Sequence, residues 1–114
     1  MSLKVYGIKN CDTVKKALKF LDTHAIKYEF IDFKSVKPTC IELQKWVSEA
    51  GIKKLFNTRS RTYRELNLKE IAQTQTEKIE WMCKEPLLIK RPIIDTGSKI
   101  IVGFDEEIYK KELL

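Results

Sequence analysis

The sequence lacks the long apolar run that a membrane span requires. None of its 114 residues belongs to a stretch approaching the roughly 20 apolar residues of a transmembrane helix. The first residues, Met1–Tyr6, do not form the apolar core of a signal peptide and lead directly into a strand pattern. These two absences predict a cytoplasmic protein with no membrane partner.

Cysteine and histidine are both scarce. Three cysteines, Cys11, Cys40 and Cys83, are widely spaced and odd in number, unlike the dense, even set of a secreted disulfide scaffold. There is no CxxC pair, and His24 is the single histidine, so a structural zinc site has too few ligands. We therefore expect three thiols, no metal and no bound cofactor.

The charge is unbalanced in the positive direction. The net charge is +6 and the sequence pI is about 9.2, which favours anionic partners such as phosphate-like oxyanions or glutathione. The basic residues are spread along the whole chain rather than gathered in one tail, so charge alone does not favour nucleic acid as a partner.

The hydrophobic pattern predicts an α/β fold. A strand over Leu3–Ile8, a helix ending near His24 and a strand over 27–33 form a parallel βαβ unit. Mostly helical sequence follows over 35–86. A further strand over 87–95, a turn over 96–98 and a strand over 99–103 form a hairpin, with a final helix beginning near Phe104.

These elements predict one domain over 1–114 with a mixed four-stranded sheet, as in the thioredoxin-like (glutaredoxin-like) fold with a helical insertion. Within the insertion, Pro38 is expected in the first turn of a helix that Gly51 ends. Thr76 is expected to cap a later helix, and Pro86 is expected to stop it.

Cys11 is the residue best placed for chemistry. It follows the first strand and precedes the first helix, and the N–H groups and positive dipole end of that helix favour a thiolate. Lys9 and Asn10 precede it and are candidates for binding an anionic group, whereas Asp12 or Thr13 can cap the helix. Polar flanks favour a surface nucleophile over the alternative, a buried packing residue.

Arg91 and Pro92 interrupt an apolar run near the end of the chain. Proline cannot donate to a sheet ladder, and an arginine there must be paired or face a cleft. Arg91 is therefore either part of a structural ion pair or an anion ligand. Arg59 and Arg61, in an irregular basic segment, are further candidate anion ligands because a guanidinium binds two oxygens at once.

The other two cysteines have a structural interpretation. Cys40 falls on the apolar stripe of its predicted helix, and Cys83 lies beside Met82, so both are expected to be small core residues. Either is a resolving thiol only if the fold brings it close to Cys11. His24 is interpreted as a helix-terminus residue rather than a base.

Three segments together resemble the arsenate reductase family, which includes the Spx-type regulators. They are YGIKNCDT over 6–13, Thr58–Ser60, and LIKRPII over 88–94. The similarity covers nearly the whole chain, and the NCDT start most resembles the branch of small, single-cysteine, glutathione-dependent thiol reductases.

The resemblance implies roles for four residues. Cys11 is the nucleophile, which attacks arsenate or a disulfide before glutathione resolves the adduct. Arg91 holds an oxyanion, and Pro92 matches a proline that is cis in this fold. Thr13 belongs to the NCDT start that carries the resemblance and is expected to support the site. Glutaredoxin or another protein is a further partner implied by the family.

The sequence departs from the family pattern in three ways. Gly7 stands where arsenate reductases have a histidine, and no arginine occurs over 101–104, where they have one. Val14 occupies the position that completes the CxxC switch of Spx. A thiol oxidoreductase is therefore the leading hypothesis, with arsenate reduction and a non-enzymatic Spx-like interaction module or regulator as alternatives.

Overall fold

The computed structural model describes residues 3–114. The prediction that no signal peptide is present relied in part on Met1 and Ser2, which lie outside the described residues. The chain divides into two compact units, the first made of the residues up to Asp32 together with Arg91–Leu114, and the second of Phe33–Lys90. One domain with an insertion over 35–86 stays a prediction.

The first unit contains the predicted mixed four-stranded sheet. Its strands are β1 (Leu3–Gly7), β2 (Tyr28–Asp32), β3 (Ile93–Asp95) and β4 (Ile100–Val102), in the order β2-β1-β3-β4. β1 pairs in parallel with β2 and antiparallel with β3, and β3 pairs antiparallel with β4. This confirms the α/β, thioredoxin-like arrangement.

Two helices cover one face of this sheet. They are α1 (Asp12–Thr23), which is the crossover between the parallel strands, and α7 (Glu106–Leu113). Because side chains alternate along a strand, Val5 and its cross-strand neighbours Ile94 and Ile101 point to the same face. They form one buried cluster with side chains of α1 and α7, namely Ala17, Phe20, Leu21 and Tyr109.

Helices make up most of the second unit. They are α2 (Cys40–Ala50), α3 (Ile52–Leu55), α4 (Arg61–Glu65), α5 (Leu68–Ile71) and α6 (Gln75–Lys84). A short 3-10 helix over Pro86–Leu88 follows. The predicted stop at Pro86 is confirmed, and Gly51 ends α2 at a φ of 92°, a conformation that glycine adopts readily.

Three local predictions were wrong. Thr39 and Glu42 form a capping box at the start of α2, so Pro38 precedes the cap instead of lying in the first turn. Thr74, not Thr76, caps α6, because only Thr74 has a glutamate three residues later, Glu77, to complete its box. The hydrogen bond from the backbone N–H of Thr74 lowers the pKa of Glu77.

The third error concerns the predicted strand over 87–95. Only Ile93–Asp95 is a strand, because Pro86 begins a 3-10 turn and Pro92 lacks the N–H that a ladder requires. Ile89 instead makes an isolated antiparallel bridge with Phe56.

Over residues 3–114, no helix has the length and apolar character that a bilayer crossing demands.

Gly7 ends β1 against the first turn of α1. A Cβ at position 7 would lie 2.8 Å from Cγ2 of Val14, a separation that requires one of them to move. Val14 is buried, and its β-branched side chain has one strongly preferred rotamer in a helix. The absence of a side chain at Gly7 therefore allows α1 to begin close to the strand.

Gly7→Ala is expected to destabilise the protein by about 1–3 kcal/mol, since a methyl group is forced into a packed contact. Urea unfolding followed by circular dichroism measures the free energy of unfolding. Lys4→Ala, an exposed change on the same strand, is the control and is expected to change it by about 0.5 kcal/mol or less. Equal stability of Gly7→Ala and wild type would contradict the close packing.

Candidate functional site

Cys11 is the N-cap of α1. Its backbone is extended, with φ −135° and ψ 122°, and its carbonyl accepts the first helical hydrogen bond from the N–H of Lys15 at 2.9 Å. Its side chain makes no capping hydrogen bond, and the residue is half-buried. The thiol therefore belongs to a partly exposed residue and caps no helical N–H group.

The N-cap position decides what faces this sulfur. A side chain at an N-cap lies beside the N–H groups of the second and third helical residues, which here are Thr13 and Val14. No side chain caps these groups in α1. A negative charge on the sulfur, or on a group bound to it, would therefore meet backbone donors and the positive end of the helix dipole.

The capping role predicted for Asp12 or Thr13 was wrong. α1 begins at Asp12, so both residues are already helical and Cys11 takes the capping position. Both are exposed. Lys9 and Asn10 form an exposed turn immediately before Cys11, so both side chains are accessible to an anionic ligand.

The strand register brings Arg91 and Pro92 to the same edge of the sheet as Cys11. Tyr6 pairs with Ile93, and continuing this antiparallel register places Pro92 opposite Gly7. The residues that follow β1 and those that precede β3 therefore meet at one edge. Arg91 is half-buried and its Nε is buried. The Arg91–Pro92 peptide is cis, as the family resemblance implies.

Gly103 forms hydrogen bonds with both the cis-proline segment and α7. Its N–H donates to the carbonyl of Pro92 at 2.8 Å, and its own carbonyl accepts a 2.6 Å hydrogen bond from the hydroxyl of Tyr109. Its φ of 81° is in the region that favours glycine. Gly103, the residue that follows β4, thus connects the Pro92 segment to Tyr109 of α7.

The residue after Gly103 belongs to an aromatic cluster. The ring of Phe104 makes edge-to-face contacts with Tyr109, at 4.9 Å between centroids, and with Phe20, at 6.3 Å. Arginine is absent from 92–114, so at this edge the segment after the hairpin supplies packing rather than a second guanidinium.

Arg59 and Arg61 lie in the second unit, and their role as anion ligands stays a prediction. Both side chains are exposed. The N–H of Arg59 donates to the side chain of Asn57 at 3.1 Å. Arg61 is the first residue of α4 and makes a 3.5 Å ion pair with Glu65, a solvated contact of little energetic weight.

The expectation for Cys40 and Cys83 was wrong. Cys40 is exposed, Cys83 is half-buried, and a disulfide joins them. The capping box at Thr39 makes Cys40 the first residue of α2, so Cys40 lies at the exposed end of the stripe that also contains buried Leu43 and Val47. Recognising that box would have revealed the position of Cys40, although not its partner.

Other parts of the structure offer less chemistry. His24 ends α1, with its Nδ1 2.9 Å from the carbonyl of Phe20, which agrees with a terminus residue. Among residues 3–114, no group of three histidine, cysteine or acidic side chains is arranged to hold a metal ion. A cavity of about 290 Å³ borders Leu3 at the opposite end of β1 and contains no cysteine.

The family model and the similar proteins described next place the chain in one family. The model described as the ArsC family matches residues 6–112. The chain is 36% identical to the YusI protein of Bacillus subtilis over 97% of this chain and 98% of that protein. It is 30% identical to the regulatory protein MgsR of Bacillus subtilis over 90% of this chain and 83% of that protein.

A solved structure agrees closely with this fold. The YFFB protein superposes with a TM-score of 0.93 at 35% identity, over 99% of this chain and 100% of that one.

Tyr109→Phe is expected to cost about 0.5–1.5 kcal/mol of unfolding free energy, because the carbonyl of Gly103 loses its donor. Burial raises the pKa of Tyr109 above its ordinary value of 10.0, so wild type loses stability as the pH rises above that value. The variant should lack this component, and the difference between the two proteins should shrink in alkaline solution.

Urea unfolding at pH 7 and at alkaline pH measures both effects. Tyr28→Phe is the matched control, because its hydroxyl bonds to exposed Asp22 and its loss should cost less. An equal cost for the two substitutions would contradict a supporting role for the Tyr109 hydrogen bond.

Proposed function

The chain belongs to the ArsC family, and we propose that it acts as a glutathione-linked thiol oxidoreductase whose nucleophile is Cys11. The observation that carries this proposal is the position of the Cys11 side chain. Cys11 is the N-cap residue of α1, but its side chain accepts no hydrogen bond from the helix. Among the described residues it is the free cysteine. A packing residue would be buried, and an ordinary capping residue would be serine, threonine, aspartate or asparagine.

The proposed reaction is reduction of a glutathione mixed disulfide in two exchange steps. The Cys11 thiolate attacks the glutathione sulfur of the substrate, forms a Cys11–glutathione disulfide and releases the substrate thiolate, which takes up a proton. A second glutathione, as its thiolate, then attacks the glutathione sulfur of that adduct and releases the Cys11 thiolate. One glutathione mixed disulfide and one glutathione become one thiol and one glutathione disulfide.

The helix end supports both steps. Cys11 must carry negative charge at the start and the end of the cycle, and the uncapped N–H groups of Thr13 and Val14 favour that charge. Lys9 and Arg91 add positive charge on the two segments that meet at this edge of the sheet. Glutathione has two carboxylates, so a basic edge beside the thiol suits it as a ligand.

Arsenate fits this edge less well. Arg91 supplies the one guanidinium of 91–114, and Gly7 stands where the family's arsenate reductases have a histidine. A tetrahedral oxyanion would therefore meet fewer charged donors than in those enzymes. Thiol–disulfide exchange needs only the sulfur and one anion-binding group, both of which this edge supplies.

A second candidate is a non-enzymatic interaction module. It is favoured by the similarity to MgsR, which is described as a regulatory protein. Such a module would not require a reactive Cys11, so the reactivity of this residue discriminates between the two functions.

Cys11→Ser is expected to lower turnover of a glutathionylated peptide by about 100-fold or more, because Cys11 is the free cysteine of the described residues and serine forms no disulfide intermediate. Glutathione disulfide production is followed through NADPH consumption by added glutathione reductase. Peptide mass spectrometry should find the glutathione adduct on Cys11 of the native protein.

The double variant Cys40→Ser/Cys83→Ser is the matched control and should retain activity, since it removes the other two cysteines and keeps Cys11. Activity in Cys11→Ser close to that of wild type would exclude the proposed nucleophile. Failure of Cys11 to form an adduct at any pH from 6 to 9 would favour the interaction module.

Arg91→Lys is expected to raise the KM for the glutathionylated peptide by about 5–10-fold with a smaller change in kcat. Lysine keeps the charge but loses the planar fork that binds a carboxylate through two hydrogen bonds. Steady-state kinetics measures both constants. Arg64→Lys, an exposed substitution in α4, is the control, and an unchanged KM in Arg91→Lys would remove Arg91 from the binding site.

A further inference from the structure

Two helix ends of the second unit bring Cys40 and Cys83 together. Cys40 is the first residue of α2, and Cys83 lies in the last turn of α6. Their Cα atoms are 5.4 Å apart, within the range of about 4.4–6.8 Å in which a disulfide forms without backbone movement. The two thiols need no rearrangement of α2 or α6 to bond or to separate.

The pair is accessible at one of its sulfurs. Cys40 is exposed and Cys83 is half-buried. Structural disulfides of small proteins resist reduction, whereas exposed ones are typically labile, regulatory or catalytic. Solvent access at Cys40 allows a small thiol or disulfide in solution to reach that sulfur.

The two helix ends make the cysteines chemically unequal. Cys40 lies at the positive end of the α2 dipole, which favours a thiolate, and Cys83 lies near the negative end of α6, which does not. The Nζ of Lys37 donates to the carbonyl of Lys84 at 3.2 Å, so the segment before α2 is also attached to the end of α6. The helix dipoles thus favour Cys40, the exposed cysteine, as the attacking thiolate.

We propose that Cys40 and Cys83 form a second, reversible dithiol–disulfide site, in which Cys40 exchanges with glutathione and Cys83 resolves the adduct. This site is separate from the Cys11 chemistry proposed above and does not depend on it. It acts as a redox-dependent cross-link, because the redox state of the glutathione pool sets whether α2 and α6 are covalently joined.

The reaction balances with glutathione disulfide as the oxidant. The Cys40 thiolate attacks glutathione disulfide, forms a Cys40–glutathione bond and releases one glutathione thiolate. Cys83 loses its proton and attacks the Cys40 sulfur, which forms the protein disulfide and releases a second glutathione. The protein dithiol is oxidised by two electrons, and one glutathione disulfide is reduced to two glutathiones; reduction reverses these steps.

The disulfide connects residues that are 43 positions apart and nearly encloses the helices of the second unit. A cross-link over a loop of this length removes many conformations from the unfolded chain. Oxidation should therefore raise the Tm by about 5–15 °C relative to the dithiol form.

The experiment uses the full chain with Cys11→Ser, so that failure of the Cys11 proposal cannot affect the result. Reduced protein is equilibrated with a series of glutathione to glutathione disulfide ratios, quenched with acid and alkylated. Mass spectrometry of peptides then counts free thiols, mixed disulfides and the Cys40–Cys83 disulfide. We expect the disulfide to form and to reverse with the ratio, with the predicted rise in Tm.

Two variants in the same background test whether Cys40 or Cys83 reacts first with glutathione disulfide. Cys83→Ser should accumulate one glutathione on Cys40, whereas Cys40→Ser should form its adduct on Cys83 about 10-fold more slowly. Circular dichroism confirms that each variant is folded.

Three results would overturn the proposal. The first is that both thiols remain open to alkylation at every ratio. The second is a disulfide that glutathione cannot reduce in the folded protein. The third is faster modification of Cys83 than of Cys40 in the single-thiol proteins.

Discussion

The central position of β1 is the constraint on which the site depends. This strand pairs in parallel with β2 and antiparallel with β3, so the residues that leave β1 and those that enter β3 meet at one edge of the sheet. Cys11 and the Arg91–Pro92 segment, about 80 positions apart in the sequence, therefore lie at the same end of the sheet. The buried cluster around Val5 keeps this register, because a slip by one residue would turn the apolar face outward.

The three cysteines all lie near helix termini, and these termini give them different surroundings. Cys11 and Cys40 both lie at the start of a helix, but Cys11 replaces the capping residue and Cys40 follows one, Thr39. The thiol of Cys11 therefore faces N–H groups that no side chain caps, whereas in α2 the N–H of Glu42 already donates to the side chain of Thr39. Cys83, in the last turn of α6, has the opposite environment.

The sheet, the hairpin and the helix after Cys11 could be predicted from the sequence, because each has a clear hydrophobic period and a local stop signal. The cysteine pair could not be predicted. Cys40 is in register with the apolar stripe, but as the first residue of α2 it is exposed. Its contact with Cys83 depends on how α2 and α6 pack, which no local pattern contains. The strand predicted over 87–95 was wrong for a related reason. Its composition favours a strand, but Pro86 begins a 3-10 turn that includes Leu87 and Leu88, and Pro92 removes a ladder donor.

The contact between Gly7 and Val14 limits how this chain could change in evolution. A histidine at position 7, as in the family's arsenate reductases, would need space that the Val14 side chain already fills. The two positions are therefore coupled, and a mutation at either one alone carries a cost that the other must relieve. An ancestral chain could therefore gain or lose a histidine at position 7 only if the substitutions at positions 7 and 14 occurred in a tolerated order. Such epistasis helps to keep the branches of a family apart.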